Sequence, residues 1–228
     1  MGTVKLALEF LDNEYDFNNY VEIIRYTWEI DLYKLKKTLN YFNDTVESKI
    51  GENHSVVVNY ENMHKVAELM DNTVELRQLI QPTFNKAIFI TCYSYFEFFL
   101  KDVSKIFDDY IETEKVLNDI KGKGIEKYSR FLKTQCNIDD KLFSGIEWEK
   151  IKNWQEVRNC VSHNDGVPKD DSSLEKIQKA GIWIDRKEQP QVFLHEKEVV
   201  SFIELIEKFA NRLLENAKQN NDLTITKN

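Results

Sequence analysis

The sequence predicts a mainly all-α protein, an up-and-down helical bundle with a small β-hairpin near its C-terminus. Glycine and proline are scarce, at 7 and 3 of 228 residues, whereas an all-β fold needs many tight turns. Apolar residues recur every three or four positions over several long segments, which is the spacing of one face of an α-helix. The 14 phenylalanines and 10 tyrosines supply enough apolar surface for a sizeable core.

The whole chain, residues 1–228, is expected to form a single domain, since it contains neither repeats nor an inter-domain linker. Residues 1–19 form an N-terminal extension whose apolar residues alternate as in a strand, although the stretch could equally begin a helix. Residues 218–228 form a polar tail that we expect to be frayed.

Three long helices are predicted in the first half of the chain. The first covers residues 21–50 and is ended by Gly51, and the second covers about 61–80. The third runs to about residue 110, with Pro82 in its first turn, where the missing N–H costs little. Its run AIFITCYSYFEFFL is too short to span a bilayer. We therefore expect a central bundle helix and no membrane partner.

The second half contains a short helix around Phe131, a helix over about 147–163 and a last helix over about 196–217. The run Asn164-Asp165-Gly166 stops the 147–163 helix. A polar stretch, KDDSSLEK, follows. Apolar residues then alternate on both sides of residues 186–191, which predicts the β-hairpin.

The three cysteines, Cys92, Cys136 and Cys160, are odd in number and widely spaced. This pattern predicts neither a disulfide framework nor a zinc site, and we expect no metal and no cofactor. The first residues contain no basic segment and soon become acidic, which argues against a secretory signal. The expected compartment is a reducing cytoplasm.

The net charge of −8 is unfavourable for nucleic-acid binding in general. Residues 115–135 nevertheless carry six basic and two acidic side chains. The candidate RNA-binding residues in this stretch are Lys121, Lys123, Lys127, Arg130 and Lys133. A solvated helix face and an RNA-steering patch both fit this composition.

Glu97 is the only charged residue in the apolar run of the third helix. Because unpaired burial of a carboxylate costs several kcal/mol, it must be paired, protonated or facing an opening. A structural ion pair with a lysine or arginine is one interpretation. A supporting role at a functional site is the other.

The candidate chemistry lies in the segment Arg158-Asn159-Cys160-Val161-Ser162-His163. The sequence has no HExxH, GxSxG or glycine-rich phosphate loop, and the other three histidines lack partners at ligand spacing. At about 100° per residue, Asn159 and His163 lie about 40° apart around a helix, whereas Arg158 lies about 140° from His163. Arg158 and His163 could still converge at the helix end or across a dimer axis.

The run VRNCVSHNDG resembles the signature of the HEPN superfamily of helical ribonucleases. That signature is an arginine, a polar residue, three variable positions and a histidine, and the Asn-x-Gly tail is similar to that of stand-alone prokaryotic members. The run YSYFEFFL, which contains Glu97, resembles the aromatic-Ser-x-x-Glu stretch of related branches. The extra N-terminal helices and the hairpin depart from the minimal HEPN bundle.

The resemblance implies a four-to-five-helix bundle that forms a homodimer and brings two RNxxxH motifs into one cleft. It implies a metal-independent endoribonuclease, a toxin or antiviral-defence effector, with RNA as substrate and an antitoxin or other defence protein as partner. Arg158, Asn159 and His163 would be catalytic, with Glu97 and Asn164 in support. The products would carry a 2′,3′-cyclic phosphate and a 5′-hydroxyl.

Two other interpretations fit the same residues. Arg158 and His163 are cations near a helix C-terminus, where the helix dipole favours positive charge without any chemistry. A HEPN fold kept for binding or dimerisation, without catalysis, would suit the acidic net charge and the lack of basic residues between Val161 and Val167.

Overall fold

The computed structural model describes residues 16–58, 63–182, 184 and 190–225. The helices in chain order are α1 (Phe17–Val58), α2 (Met63–Glu75), α3 (Gln81–Tyr110), α4 (Gly124–Thr134), α5 (Asp140–Ser144), α6 (Ile146–His163), α7 (Asp171–Lys179) and α8 (Glu196–Ile225). A π-helical turn, Leu76–Ile80, joins α2 to α3, and a 3-10 turn, Leu117–Asp119, precedes α4. The prediction of a mainly all-α protein is confirmed.

The predicted β-hairpin is not confirmed. Its flanking residues Ile182, Ile184 and 190–195 contain no strand, and most of its predicted turn falls on residues 185–189, outside the described residues. Residues 1–15 of the predicted N-terminal extension also lie outside them, and α1 begins at Phe17.

The chain divides into two compact units. The first contains the residues up to Leu32, Cys92–Lys152 and the residues from Ile203 onwards, and the second contains Tyr33–Thr91 and Asn153–Phe202. The RNxxxH segment belongs to the second unit. The single-domain expectation stays a prediction.

The core of the first unit is built around Phe209 of α8. Its ring centroid lies 5.9 Å from that of Phe96, 5.7 Å from that of Phe143 and 5.2 Å from that of Trp148. All four side chains are less than 5% exposed. Aromatic pairs at these separations add about 0.5–1.5 kcal/mol each beyond the burial of their surface.

The core of the second unit contains a triangle of aromatic rings from three helices. Trp154 of α6 lies 5.3 Å from Phe89 of α3 and 5.1 Å from Phe202 of α8, and Phe89 and Phe202 are also 5.1 Å apart. Each ring is at most 3% exposed. This triangle fixes the C-terminal half of α6, which carries the RNxxxH segment.

The predicted apolar helix is confirmed as α3, with Pro82 in its first turn. Phe89, Cys92, Phe96 and Leu100 along it have no exposed surface. Within the described ranges, no helix has the apolar length needed to cross a bilayer.

Gly51 does not end the first helix, contrary to the prediction, because α1 continues to Val58. Ile50 is 6% exposed, and the buried Asn53 donates from Nδ2 to Oγ1 of Thr73 on α2 at 3.3 Å. Burying a side chain such as isoleucine contributes about 1.5–3 kcal/mol, whereas a glycine costs a helix about 1 kcal/mol. Tertiary packing therefore prevails over the local preference.

The polar stretch after the RNxxxH helix is also helical, as α7, which the sequence analysis missed. The Asp170 carboxylate caps it by accepting a 2.8 Å hydrogen bond from the Ser173 amide. Leu174 and Ile177 bury its inner face at 7% and 0% exposure. The last helix, α8, likewise continues beyond residue 217 to Ile225.

The two glycines with the most free space predict opposite effects of substitution. A Cβ atom on Gly51 or on Gly181 would meet nothing within 4 Å, but only Gly181 has a positive φ, +94°. We expect Gly51→Ala to raise the free energy of unfolding by about 0.5–1 kcal/mol, because alanine favours the helix. Gly181→Ala should lower it by about 1–2 kcal/mol.

Urea denaturation followed by circular dichroism measures both variants. A loss of stability in Gly51→Ala would contradict a continuous α1, because alanine is unfavourable only where the helix ends in a left-handed conformation.

Candidate active site

The RNxxxH segment occupies the last turns of α6, at the solvent-facing edge of that helix. Trp154, Val157 and Cys160 are 3%, 0% and 1% exposed and form its inner face. Arg158 and Asn159 lie on the half-buried flank, and His163 is the last helical residue and is exposed. The helix therefore exposes His163 to solvent, whereas Arg158 and Asn159 are only partly accessible and Nε of Arg158 is buried.

Arg158 and Asn159 are brought together by a direct hydrogen bond. Nη1 of Arg158 donates to Oδ1 of Asn159 at 3.1 Å. Asn159 lies only about 40° around the helix from His163, so this bond draws the guanidinium toward the His163 flank. The long arginine side chain thus offsets part of the 140° separation between the two Cα positions.

His163 has no structural partner in the described part of the chain: its side chain takes part in no hydrogen bond or ion pair there. Its position in the last turn of α6 is one where the helix dipole favours a cation. Both the catalytic and the dipole interpretation are compatible with this position.

The turn after His163 is held by main-chain hydrogen bonds. The amides of Asn164 and Gly166 both donate to the carbonyl of Cys160, each at 3.0 Å, and the carbonyl of Asn164 accepts from the Val167 amide at 2.8 Å. Asp165 and Gly166 have φ angles of 51° and 81°. The bond from Gly166 to Cys160 closes a loop one residue longer than the six-to-one bond of a Schellman motif, and two consecutive left-handed residues end the helix instead of one. Asn164, predicted as a supporting residue, contributes its backbone here and exposes its side chain.

The segment 190–195 packs against this turn. The Val192 amide donates to the Gly166 carbonyl at 2.8 Å, and Nε2 of Gln191 donates to the Asp165 carbonyl at 3.2 Å. From α3, Nδ2 of the buried Asn85 donates to the Leu194 carbonyl at 3.1 Å. The end of α6 and the start of α3 are therefore joined through one extended segment.

Lys86 is a cation near the motif that the sequence analysis did not identify. Its Nζ lies 3.5 Å from the position that a Cβ atom would take on Gly166, and 6.0 Å from the ring centroid of Phe193. Within the described residues it forms no ion pair with a carboxylate. No local pattern marks Lys86, because α3 and α6 are joined only by tertiary contacts.

Cys160, inside the motif, is a packing residue. Burial, and to a lesser extent the charge of Glu156, raises the pKa of the Cys160 thiol to about 11, although Lys86 acts in the opposite direction. The thiolate is the nucleophilic form of cysteine, so this environment keeps the side chain unreactive.

Glu97, predicted as a supporting residue, belongs to the first unit and lies beside the first residue of α4. A Cβ atom on Gly124 would be 3.5 Å from Cδ and from both carboxylate oxygens of Glu97. No lysine or arginine in the described ranges forms an ion pair with it. Since Lys123 provides no side-chain cap, the carboxylate faces the positive end of an uncapped helix.

The five candidate RNA-binding residues also lie in the first unit and differ in their surroundings. Lys133 pairs with Asp140 at 2.8 Å, and Nη1 of Arg130 donates to the Lys121 carbonyl at 2.7 Å. The side chains of Lys121 and Lys123 are exposed, and that of Lys127 is half-buried. Lys133 and Arg130 therefore make contacts within the protein, whereas Lys121 and Lys123 are exposed to solvent.

Neither a metal-binding group among the described residues nor a matching protein identifies the function of this site. Among the described residues, no three His, Cys, Asp or Glu side chains are grouped so that they could hold a metal ion. Comparison with protein-family models, curated proteins and solved structures finds no match. Function is therefore inferred from the residues of α6 and from what surrounds them.

The raised pKa of Cys160 predicts a pH effect on stability. A thiol whose folded-state pKa exceeds its unfolded-state value contributes stability below the unfolded pKa, and this contribution is lost as the pH rises through about 11. We expect the free energy of unfolding to fall more steeply between about pH 9 and 11 in the wild type than in Cys160→Ala. Urea denaturation at several pH values in this range measures the difference. Parallel plots of unfolding free energy against pH for the two proteins would contradict the raised pKa of Cys160.

The position of Glu97 predicts an electrostatic contribution to stability. Glu97→Gln should lower the free energy of unfolding by about 0.3–1 kcal/mol, because the amide keeps the shape but loses the charge at the start of α4. Glu204→Gln, on the exposed face of α8, is the matched control and should change it by less than about 0.5 kcal/mol. Equal stability of the two variants would rule out the helix-terminus role.

Proposed function

We propose that this protein is a metal-independent endoribonuclease of the HEPN type that acts as a homodimer. One observation carries the proposal: the Arg158 guanidinium is hydrogen-bonded to Asn159, on the flank of α6 next to the exposed His163. A permanent cation and an accessible imidazole are the groups that self-cleavage of a ribose phosphodiester requires.

In the proposed reaction, the ribose 2′-oxygen attacks the adjacent phosphorus, so that the O2′–P bond forms and the P–O5′ bond breaks. His163 takes the proton from the 2′-hydroxyl or donates one to the leaving 5′-oxygen, because histidine is the side chain best suited to both roles near neutral pH. Arg158 binds two phosphate oxygens and stabilises the charge that develops on them. The products carry a 2′,3′-cyclic phosphate and a 5′-hydroxyl.

A dimer is proposed because one chain supplies only one His163. Proton removal at O2′ and proton donation at O5′ take place on opposite sides of the phosphorus, and two copies of α6 would supply an imidazole for each. The bond to Asn159 offsets only part of the separation of about 140° between Arg158 and His163 on one helix, and the remainder also favours a cleft lined by both copies. A ribonuclease of this kind needs restraint in the cell that makes it, which suits a toxin or antiviral-defence effector with an antitoxin or other defence protein as partner.

A second candidate function is a non-catalytic module that binds a protein partner. It is favoured by a group of exposed apolar side chains in the second unit: Tyr41, Met70, Val74 and Leu79 are 75%, 58%, 50% and 60% exposed. Beside them is a mainly apolar pocket of about 550 Å³ lined by residues such as Phe42, Val46 and Leu76. Exposed apolar surface of this kind is typical of interaction sites.

Catalysis is tested with purified protein and labelled RNA in the presence of EDTA. We expect cleavage by the wild type, and a loss of about 10²–10⁴-fold in rate in His163→Ala, because general acid–base catalysis contributes that much. Arg158→Ala should lose a similar factor, since it removes transition-state stabilisation. His54→Ala, on an exposed part of α1, is the control and should retain full activity.

Full activity in both motif variants would refute the proposal. A wild type that cleaves no RNA, but forms a stable complex that is disrupted by Leu79→Asp, would favour the binding module. Growth on expression separates the two in cells: toxicity that His163→Ala relieves supports catalysis.

A further inference from the structure

We infer that Lys86 and Phe193 form a subsite for one unpaired nucleotide beside the proposed cleavage centre. Phe193 would stack on the base, and the Lys86 ammonium would bind a phosphate of the same strand. This inference rests on the proposed function and extends it to a substrate class, single-stranded RNA.

Phe193 is held in an outward position by its neighbours. Val192 and Leu194 are both 0% exposed, whereas the Phe193 ring between them is 46% exposed. The Val192 amide is bonded to the Gly166 carbonyl at 2.8 Å, and the Leu194 carbonyl accepts from Asn85 at 3.1 Å. Two fixed residues thus keep a large apolar ring in contact with solvent, which is the arrangement of a stacking platform.

Lys86 supplies a positive charge to the same position. Its Nζ is 6.0 Å from the Phe193 ring centroid, at the outer limit of a cation–π contact, and the residue is half-buried. No ion pair with a carboxylate neutralises it among the described residues. A cation beside an exposed aromatic ring matches the phosphate and base of one nucleotide.

Gly166 connects this pair to the motif. It follows His163 by three residues, a chain length that spans at most about 10 Å. The Cβ atom of any other residue there would lie 3.4 Å from the Val192 carbonyl oxygen and 3.5 Å from Lys86 Nζ. These are ordinary van der Waals distances, so Lys86 and the 190–195 segment lie in contact range of the end of α6, and it is the φ of +81° that favours glycine here.

A single-stranded ligand fits these groups better than a duplex does. Stacking on Phe193 requires a base with a free face, and the bases of a duplex are already stacked on each other. The pair contains one ring and one ammonium group, which suffices for one nucleotide. A protein ligand is the alternative occupant, and the experiment includes it as an outcome.

The test measures binding separately from cleavage. A short, unstructured, fluorescein-labelled RNA with 2′-O-methyl groups has no free 2′-hydroxyl and cannot be cleaved by the proposed reaction. Fluorescence anisotropy then gives its Kd for the full-length wild type and its variants over a range of salt concentrations. Tyr33→Ala is the matched control, since it removes an exposed aromatic ring elsewhere in the same unit.

We expect Phe193→Ala to weaken binding by about 5–150-fold, the effect of one lost base stack, and Phe193→Tyr to bind as the wild type does. Lys86→Ala should reduce the slope of log K against log salt by about 0.7, which corresponds to one phosphate contact on a single strand. Phe193→Ala should leave this slope unchanged, and a duplex of the same sequence should show no dependence on Phe193.

Unchanged affinity in Phe193→Ala, or an unchanged slope in Lys86→Ala, would overturn the subsite. The same holds if the wild type binds no RNA and the Phe193 and Lys86 variants instead lose a protein partner. If binding depends on both residues while unmodified RNA is never cleaved, the subsite stands and the proposed catalysis fails. If RNA is cleaved at the same rate with and without Phe193 and Lys86, the proposed catalysis stands and the subsite fails.

Discussion

At the C-terminal end of α6, two consecutive residues with positive φ angles, Asp165 and Gly166, turn the chain back on itself. The turn is closed on one side by the Cys160 carbonyl and on the other by the Val192 amide. This backbone constraint determines where α6 stops, and so places His163 in the last turn with its side chain in solvent. It also gives the 190–195 segment a fixed edge to bond to, which in turn orients Phe193. Both the candidate catalytic residues and the inferred nucleotide subsite depend on it.

Much of the helical framework could be predicted from the sequence, because long apolar stripes report burial directly. The face of α6 formed by Trp154, Val157 and Cys160 is an example, and so is the stop signal at Asn164-Asp165-Gly166. The predicted helix boundaries were wrong where tertiary contacts outweighed the local sequence preference. Gly51 lies inside a helix because its neighbours Ile50 and Asn53 are buried. The helix α7 was not predicted because its sequence is mostly polar. It is stabilised by one capping residue, Asp170, and by two buried residues, Leu174 and Ile177.

The candidate site was predictable only in the part that is local in sequence. Arg158, Asn159 and His163 share one helix, so their spacing could be analysed without a structure. Helix angles alone place Arg158 and His163 on different flanks of α6, and the side-chain hydrogen bond from Arg158 to Asn159 could not be predicted from them.

Lys86 could not be predicted as part of the site, because the sequence places it more than seventy positions before the motif. Its approach to Gly166 results from how α3, α6 and the 190–195 segment pack.

The π-helical turn Leu76–Ile80 has a consequence for how this fold tolerates length changes. Such a turn contains one residue more per hydrogen-bonded ring than an α-helical turn does. Removing a single residue there would convert the turn into an α-helical one and change the direction of α2 relative to the start of α3 only slightly, because the wider turn already accommodates one extra residue. The hydrogen bond between Asn53 and Thr73 ties α2 to α1, and Asn85 ties α3 to Leu194. A one-residue deletion in this turn would therefore preserve both attachments, whereas the same deletion inside α2 or α3 would rotate the helix face by about 100°.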